Sequence, residues 1–277
     1  MALVAVLWMV AALSIIVTGI SSAVRNEIRL VSSAQQTVKA NALGIAAVQL
    51  VLQQIAGKQG LFAQPAQLSQ LSQVRVQYQN TPVGVTVVPL SGLIDINNAP
   101  VPLLAALFSV AGGRDTASAE ALAQAAFDNR TAKDQMGAAQ GFEATDDLLR
   151  VPGFDYNLYA KISGLITADQ RGSGLVNPLA APAGVLLVLA DGNTAIANKI
   201  AADRGAGQTG IDTTRLNSAY IDTGSTQRFL LQARVPLADG TWLVVIRGVD
   251  LGGGKREGFP WRTFKSEHRA EAASPAA

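Results

Sequence analysis

MALVAVLWMVAALSIIVTGISSAV, Met1 to Val24, carries no charged residue, and only Ser14, Thr18, Ser21 and Ser22 interrupt it as polar side chains. At about 1.5 Å per helical residue the run is roughly 35 Å long, enough to cross a hydrocarbon core of about 30 Å. It lacks the basic leading segment of a secretory signal, and it exceeds the apolar core of about 7 to 15 residues that such signals have. The expectation is an uncleaved membrane helix. The helical pattern then continues: Val24, Ile28, Val31, Val38, Ala42, Ile45 and Leu52 recur at alternating spacings of three and four, with Gln35 and Gln49 in the missing stripe positions. Arg25, Glu27, Arg29, Gln36 and Lys39 fall on the other faces, and no proline precedes Pro65. Gly57 and Gly60 supply the stop. One helix over residues 1–57 follows, apolar all round in its first half and one-sided in its second. Such a helix can leave lipid and pack against others of its kind.

Composition bounds the remainder. The 277 residues leave room, beyond the anchor, for one or two domains with cores. Cysteine is absent, so disulfide frameworks and thiolate metal sites are excluded. Lys plus Arg (22) barely exceeds Asp plus Glu (20), and the charges are scattered in ones and twos. That distribution lacks the basic stripe of a nucleic-acid binder.

After a Gln-rich connector, Gln59 to Gln73, the period changes to two. Val74, Val76 and Tyr78 alternate with Arg75, Gln77 and Gln79, and Val83, Val85, Val87 and Pro89 follow across an Asn80-Thr81-Pro82 turn. The same signature returns in Gln227 to Val235 and Thr241 to Val249, joined through Ala238-Asp239-Gly240. Neither hairpin is stable alone in water, so the two are expected to share an antiparallel sheet laid on the second half of the long helix. The region between them becomes an insertion. The predicted layout is a helix at 1–57, a first sheet part at 58–98, a helical insertion at 99–224, a second sheet part at 225–265 and a polar tail at 266–277.

The insertion contains an internal echo. Gly92-Leu93-Ile94-Asp95-Ile96-Asn97-Asn98-Ala99-Pro100, followed by Leu103, Leu104 and Leu107, matches Gly174-Leu175-Val176-Asn177 through Ala181-Pro182, followed by Val185, Leu186 and Leu189, at a constant offset. Each copy reads as an extended entry into a helix, with proline at its start and Asp or Asn side chains satisfying free amides. Ala117 to Phe127 and Ala195 to Asp203 also fit helices. The reading is mostly helical, without a second sheet.

Leu148-Leu149-Arg150-Val151-Pro152-Gly153-Phe154, with Tyr159, Ala160 and Ile162, looks like a helix-hairpin-helix, whose glycine turn can present amides to a phosphate. Asp146, Asp147 and Asp155 surround it where a DNA reader needs Lys or Arg, which favours Val151, Pro152 and Gly153 as a structural corner. Gly205-Ala206-Gly207-Gln208-Thr209-Gly210 has dinucleotide spacing but follows a helix, not a strand, so it reads as a loop. Gly252-Gly253-Gly254-Lys255 is followed by Arg256 where a phosphate loop needs Ser or Thr, and reads as a flexible connection. The single histidine, His268, cannot by itself build a triad or a histidine metal site, so no catalytic residue is assigned. Asp95, Asn97, Asp212 and Asp222 are residue types suited to an oxygen-only calcium site, but no loop has the spacing that would locate one.

Together these parts resemble the minor pseudopilin K family of bacterial type II secretion systems, also called general secretion pathway protein K. The resemblance rests on Ala2 to Trp8, the Gly92 to Pro100 entry, Asp147 to Gly153 with Leu158-Tyr159, the Gly174 to Pro182 echo and Pro260-Trp261-Arg262. It implies a pilin-like α+β fold, with a long N-terminal helix on an antiparallel sheet and a large helical domain inserted between strands. It also implies a non-enzymatic subunit at the pseudopilus tip that supports export of folded proteins. The implied partners are minor pseudopilins of the I and J types, the pseudopilus shaft, the inner-membrane secretion platform and a prepilin peptidase. Its membrane and assembly helix would include Met1, Leu3, Val4, Ala5, Leu7, Trp8, Leu13 and Ile16. Arg25 and Arg29 after the span would by themselves hold the bulk of the protein in the cytoplasm. The basic leader that the family carries ahead of this point would reverse that, giving a single inner-membrane span and a periplasmic globular part. Most pilin-like subunits have glutamate at position five, pairing with the N-terminal amine of the subunit ahead; here Ala5 stands there. The competing reading is a membrane-anchored helix-hairpin-helix DNA-binding protein of the competence type.

Overall fold

The computed structural model describes residues 2–78, 80–133, 137, 139–252 and 260–272; the side chains of residues 2, 5, 11, 12, 15–26, 28–30, 65 and 66 lie outside that description. Helix α1 runs unbroken over Ala2–Ala56. At about 1.5 Å per residue its 55 residues measure roughly 80 Å. Only the last third has a protein surface beneath it. A 3-10 turn at Gly60–Ala63 and the short α2 (Pro65–Leu68) lead from it into the sheet.

Strands β1 (Ser72–Tyr78) and β2 (Thr81–Pro89) form the first hairpin, with Val74 opposite Val85 and Val76 opposite Val83. Its turn is tighter than the sequence suggested, because Thr81 already pairs with Tyr78 and Asn80 takes a positive φ of 61°. Of the turn, Gln79 lies outside the described residues. The second hairpin is β5 (Arg228–Pro236) and β6 (Trp242–Asp250), and β2 pairs antiparallel with β5. The two hairpins therefore do share one sheet.

A fifth strand was not expected. β7 (Arg262–Glu271) pairs antiparallel with β6, so the stretch read as a polar tail is in part an edge strand. Its alternation was hidden because both of its faces are polar, as is common on edges that must resist pairing with other chains. Residues 273–277 lie outside the description.

Below α1 the core is Ala40, Ala47, Val48, Val51, Leu52 and Ile55 against Val83, Val85, Val87, Phe229, Leu231, Val245 and their neighbours. This corrects the predicted stripe. Val38 is 69% exposed, Ala42 and Gln49 are exposed, and of the predicted positions in this part only Leu52 is fully buried. Counting apolar residues gave no weight to Ala40, Gly44 and Ala47, yet small side chains are what let the helix backbone approach a sheet. A Cβ on Gly44 would stand 2.5 Å from Val245 Cγ2.

Between β2 and β5 lies the inserted unit, with its own core built on Ile94, Leu103, Leu104, Leu107, Phe108, Leu158, Ile162, Val185, Leu186 and Leu189. Its helices are α3 (Val101–Ala106, running on through a wider turn to Ala111), α4 (Thr116–Thr131), α5 (Tyr156–Ile162), α6 (Ala183–Leu189) and α7 (Thr194–Gly205). The insertion is mostly helical, as expected, but the second sheet that was not expected is present in small form: β3 (Ile94–Asp95) pairs in parallel with β4 (Ile166–Thr167). Ile94 and Ile96 belong to this core, so the unit begins near Gly92 and not at residue 99.

The echo in the sequence is a structural repeat. Ile94 bridges to Ile166 in the first half, and Val176 bridges to Ile221 in the second, both in parallel. Asp95 Oδ1 accepts the Asn97 amide at 2.9 Å, and Asn177 Oδ1 accepts the Leu179 amide at 3.0 Å. Pro100 and Pro182 stand at the N-caps of α3 and α6. Each repeat also grips the other. A Cβ on Gly92 would run into the Ala180-Ala181 backbone, and one on Gly174 into Asn98-Ala99, the matching pair.

Candidate functional site

Where its side chains are described, the N-terminal part of α1 is bare. Leu3 is 81% and Trp8 74% exposed, and Val4, Leu7 and Leu13 are exposed as well. Met1 and the side chains of Ala5 and Ile16 lie outside the described residues. Burying a large apolar side chain is worth about 1.5–3 kcal/mol, so this face carries on the order of 10 kcal/mol that only lipid or a protein partner can recover. Among the described residues the stretch long and apolar enough to cross a membrane is Val31–Ala63, but from Ala40 it is seated on the sheet, so the case for a span rests on the uncharged Met1 to Val24 sequence ahead of it. The sheet covers α1 from about Ala40 onward, which leaves the part ahead of that point for a bilayer to surround. That part is roughly 55 Å long, a span of about 30 Å plus a stalk.

The second candidate is the corner. A 3-10 helix over Thr145–Arg150 enters it, the Phe154 amide donates to the Val151 carbonyl at 3.1 Å, and Gly153 has a φ of +84°. A Cβ on Gly153 would also press on Leu122 at 3.2 Å. Val151 is buried. Asp155 caps α5 by accepting the Leu158 amide at 2.8 Å, and its carboxylate is ion-paired with Arg114. The amide bond first, and then the guanidinium, hold the Asp155 carboxyl below the usual carboxylate range. Asp147 is occupied too, accepting the amides of Glu143 and Ala144 and pairing with Arg150 at 3.2 Å. Both corner carboxylates are thus taken up by amides and guanidinium groups of the corner itself.

Three arginines that sequence reasoning passed over hold the unit together. Arg130, in the last turn of α4, donates to the carbonyls of Ile96 and Ala99, both at 2.8 Å. Arg204, in the last turn of α7, does the same for Leu179 at 3.1 Å and Ala181 at 2.6 Å. Both reach the matching carbonyls of Ala99 and Ala181, but Arg204 falls eight residues short of the echo's constant offset, so the echo alone does not pair them. Burial lowers the pKa of both, partly offset for Arg130 by the nearby Asp95. Asp95 is pushed up by its own burial, against the hydrogen bonds from Asn98 and Asn97 and the charge of Arg130. The third, Arg228, is buried where sheet and insertion meet. It donates to the Asp169 carbonyl, lies 3.3 Å from the Asp250 carboxylate and stacks 4.3 Å from the Phe264 ring.

The calcium candidates are engaged in local hydrogen bonds. Asp95 serves its own loop, Asp212 accepts from Thr214, and Asp222 accepts from Ser173 and Gly224. Among the described residues no group of three or more His, Asp or Glu could hold a metal ion. His268 is exposed on β7. The loop 205–210 does follow a helix, and of the 252–255 stretch only Gly252 is described.

No family model matches the chain, and no curated protein matches it. Among solved structures, one chain of the crystal structure of the GspK-GspI-GspJ complex from the enterotoxigenic Escherichia coli type 2 secretion system is similar, at 16% identity and a TM-score of 0.45, over 89% of this chain and 98% of that chain. A likeness at that level is too faint to carry residue roles across.

Proposed function

We propose that this chain is a non-enzymatic assembly subunit of pilin-like design, a minor pseudopilin of the K type, anchored in the inner membrane with its globular part in the periplasm. It would take the tip position of a pseudopilus in a type II secretion system, beside minor pseudopilins of the I and J types, and support export of folded proteins. One observation carries the reading: a single helix whose last third is seated on an antiparallel sheet and whose first turns leave Leu3, Val4, Leu7, Trp8 and Leu13 uncovered. A helix built this way serves first as a lipid anchor and then as one member of a bundle. No catalytic residue and no cofactor is part of the proposal.

The test is a photo-reactive residue placed at Leu7 or Val31 in cells with a working secretion system. The proposal expects cross-links to the N-terminal helices of other pseudopilins that appear only when the system assembles. Cross-links to lipid alone, unchanged by assembly, would count against it. The DNA-binding alternative predicts salt-dependent retention on duplex DNA, steeply weakened by added salt. The carboxylates of Asp147 and Asp155 at the corner argue against that outcome.

A further inference from the structure

The two repeats of the inserted unit close the same circuit by different means. In the second, residues 206–219 return the chain from α7 to the strand position at Ile221 as a loop. In the first, residues 132–164 cover the equivalent path from α4 to Ile166 and carry the 3-10 helix, the Val151-Pro152-Gly153 corner and α5. The comparison isolates an appended element, more than twice as long as the fold requires. Asn97 pins it in place, accepting the Phe142 amide at 2.7 Å and donating to the Phe142 carbonyl at 2.9 Å.

What the element adds is a wall. Between it and the outer face of the sheet, the face turned away from α1, runs a groove of about 690 Å³. Its floor is the half-buried Leu230 and Phe264 with Ile246, and its wall carries Tyr156, which is 71% exposed, and Leu149. The charges are unevenly matched. On the sheet side Glu267 pairs with Lys265 at 3.1 Å, and Arg269 pairs with Glu271 at 2.8 Å. On the wall, the carboxylates of Glu143 and Asp146 have no cation among the described residues. Along one side of the groove lies β7, whose outer edge has no strand partner among the described residues.

We propose that this groove is a docking site for an extended segment of a partner protein in which basic and apolar residues alternate. An extended chain sends successive side chains to opposite sides. One set meets the apolar floor, and the other meets Glu143 and Asp146, with a guanidinium or ammonium group over the Tyr156 ring. The site requires no particular role for the N-terminal helix, so it stands or falls separately from the assembly proposal.

The test uses the full chain in a neutral detergent and a fluorescein-labelled ten-residue peptide of alternating arginine and valine, read by fluorescence anisotropy; binding to micelles is common to all variants and cancels between them. The wild type should bind this peptide saturably, and the matching glutamate-valine peptide at least tenfold more weakly. The double variant Glu143→Lys, Asp146→Lys and the single variant Tyr156→Ala should each lose at least tenfold. Tyr156→Phe, which keeps the ring, and Glu120→Lys, an exposed charge reversal away from the groove, should bind as the wild type does. All of these side chains are exposed, so the variants should fold, and their thermal melts check it. Equal binding by all variants, equal binding of the acidic peptide, or no saturable binding to the wild type would overturn the proposal.

Discussion

Asp95 is where the two repeats differ most tellingly, since the matching position in the second holds Asn177 doing the same job without a charge. Burial raises the Asp95 pKa above its ordinary value of 3.8. The folded state therefore holds a proton that the unfolded chain has released, and stability from this group falls as pH rises from about 3.8 through the raised folded value. Asp95→Asn should accordingly match or exceed the wild-type melting temperature at pH 7 and flatten its decline across that window. A lower melting temperature at pH 7 would mean that the ionised carboxylate, through Arg130, stabilises the unit. At the corner, Gly153 sits at φ +84° with Leu122 close behind, so Gly153→Val should destabilise the insertion by about 1–3 kcal/mol in chemical denaturation. Arg150→Ala, on an exposed side chain, should leave stability and any function unchanged. Gly153 was legible because glycine after proline at a helix corner has few other reasons to be there. Arg130, Arg204 and Arg228 were not, because a lone arginine in a sequence says nothing of whether carbonyls or solvent surround it.

Among the elements, the strands were read correctly wherever one face is buried and period two shows, as at Val83, Val85 and Val87. β7 failed that test because neither of its faces is apolar. The face of α1 failed for a different reason: the sheet selects closeness of approach, which favours Gly44 and Ala47, over bulk. That argument has a measurable consequence. Gly44→Ala should gain about 1 kcal/mol of helix propensity. Yet its Cβ would meet Val245 Cγ2 at 2.5 Å in a fully buried contact, so the net effect should be a loss of stability. Pairing Gly44→Ala with Val245→Ala should cost less than the two single losses summed, by at least about 0.5 kcal/mol in a double-mutant cycle. Simple additivity would show that α1 does not rest on the sheet at this point.

At the scale of the whole molecule, the order of parts could be read from period changes and the echo, and the separation of insertion from sheet follows from two distinct cores. The boundary could not, because Ile94 and Ile96 look like a continuation of the first hairpin until β4 is seen pairing with β3. A fragment spanning residues 92–224 should fold alone as a soluble, mainly helical protein, whereas 99–224, deprived of β3, should melt lower or not fold. Equal stability of the two would place the boundary where the sequence first suggested. The role proposed for this chain gives the N-terminal part of α1 one place in a filament to occupy. Gold labelling of this protein on isolated pseudopili is the most direct measurement: the account predicts about one label per filament, at one end, and label spread along the shaft, or protein that never leaves the membrane when the system assembles, would contradict it.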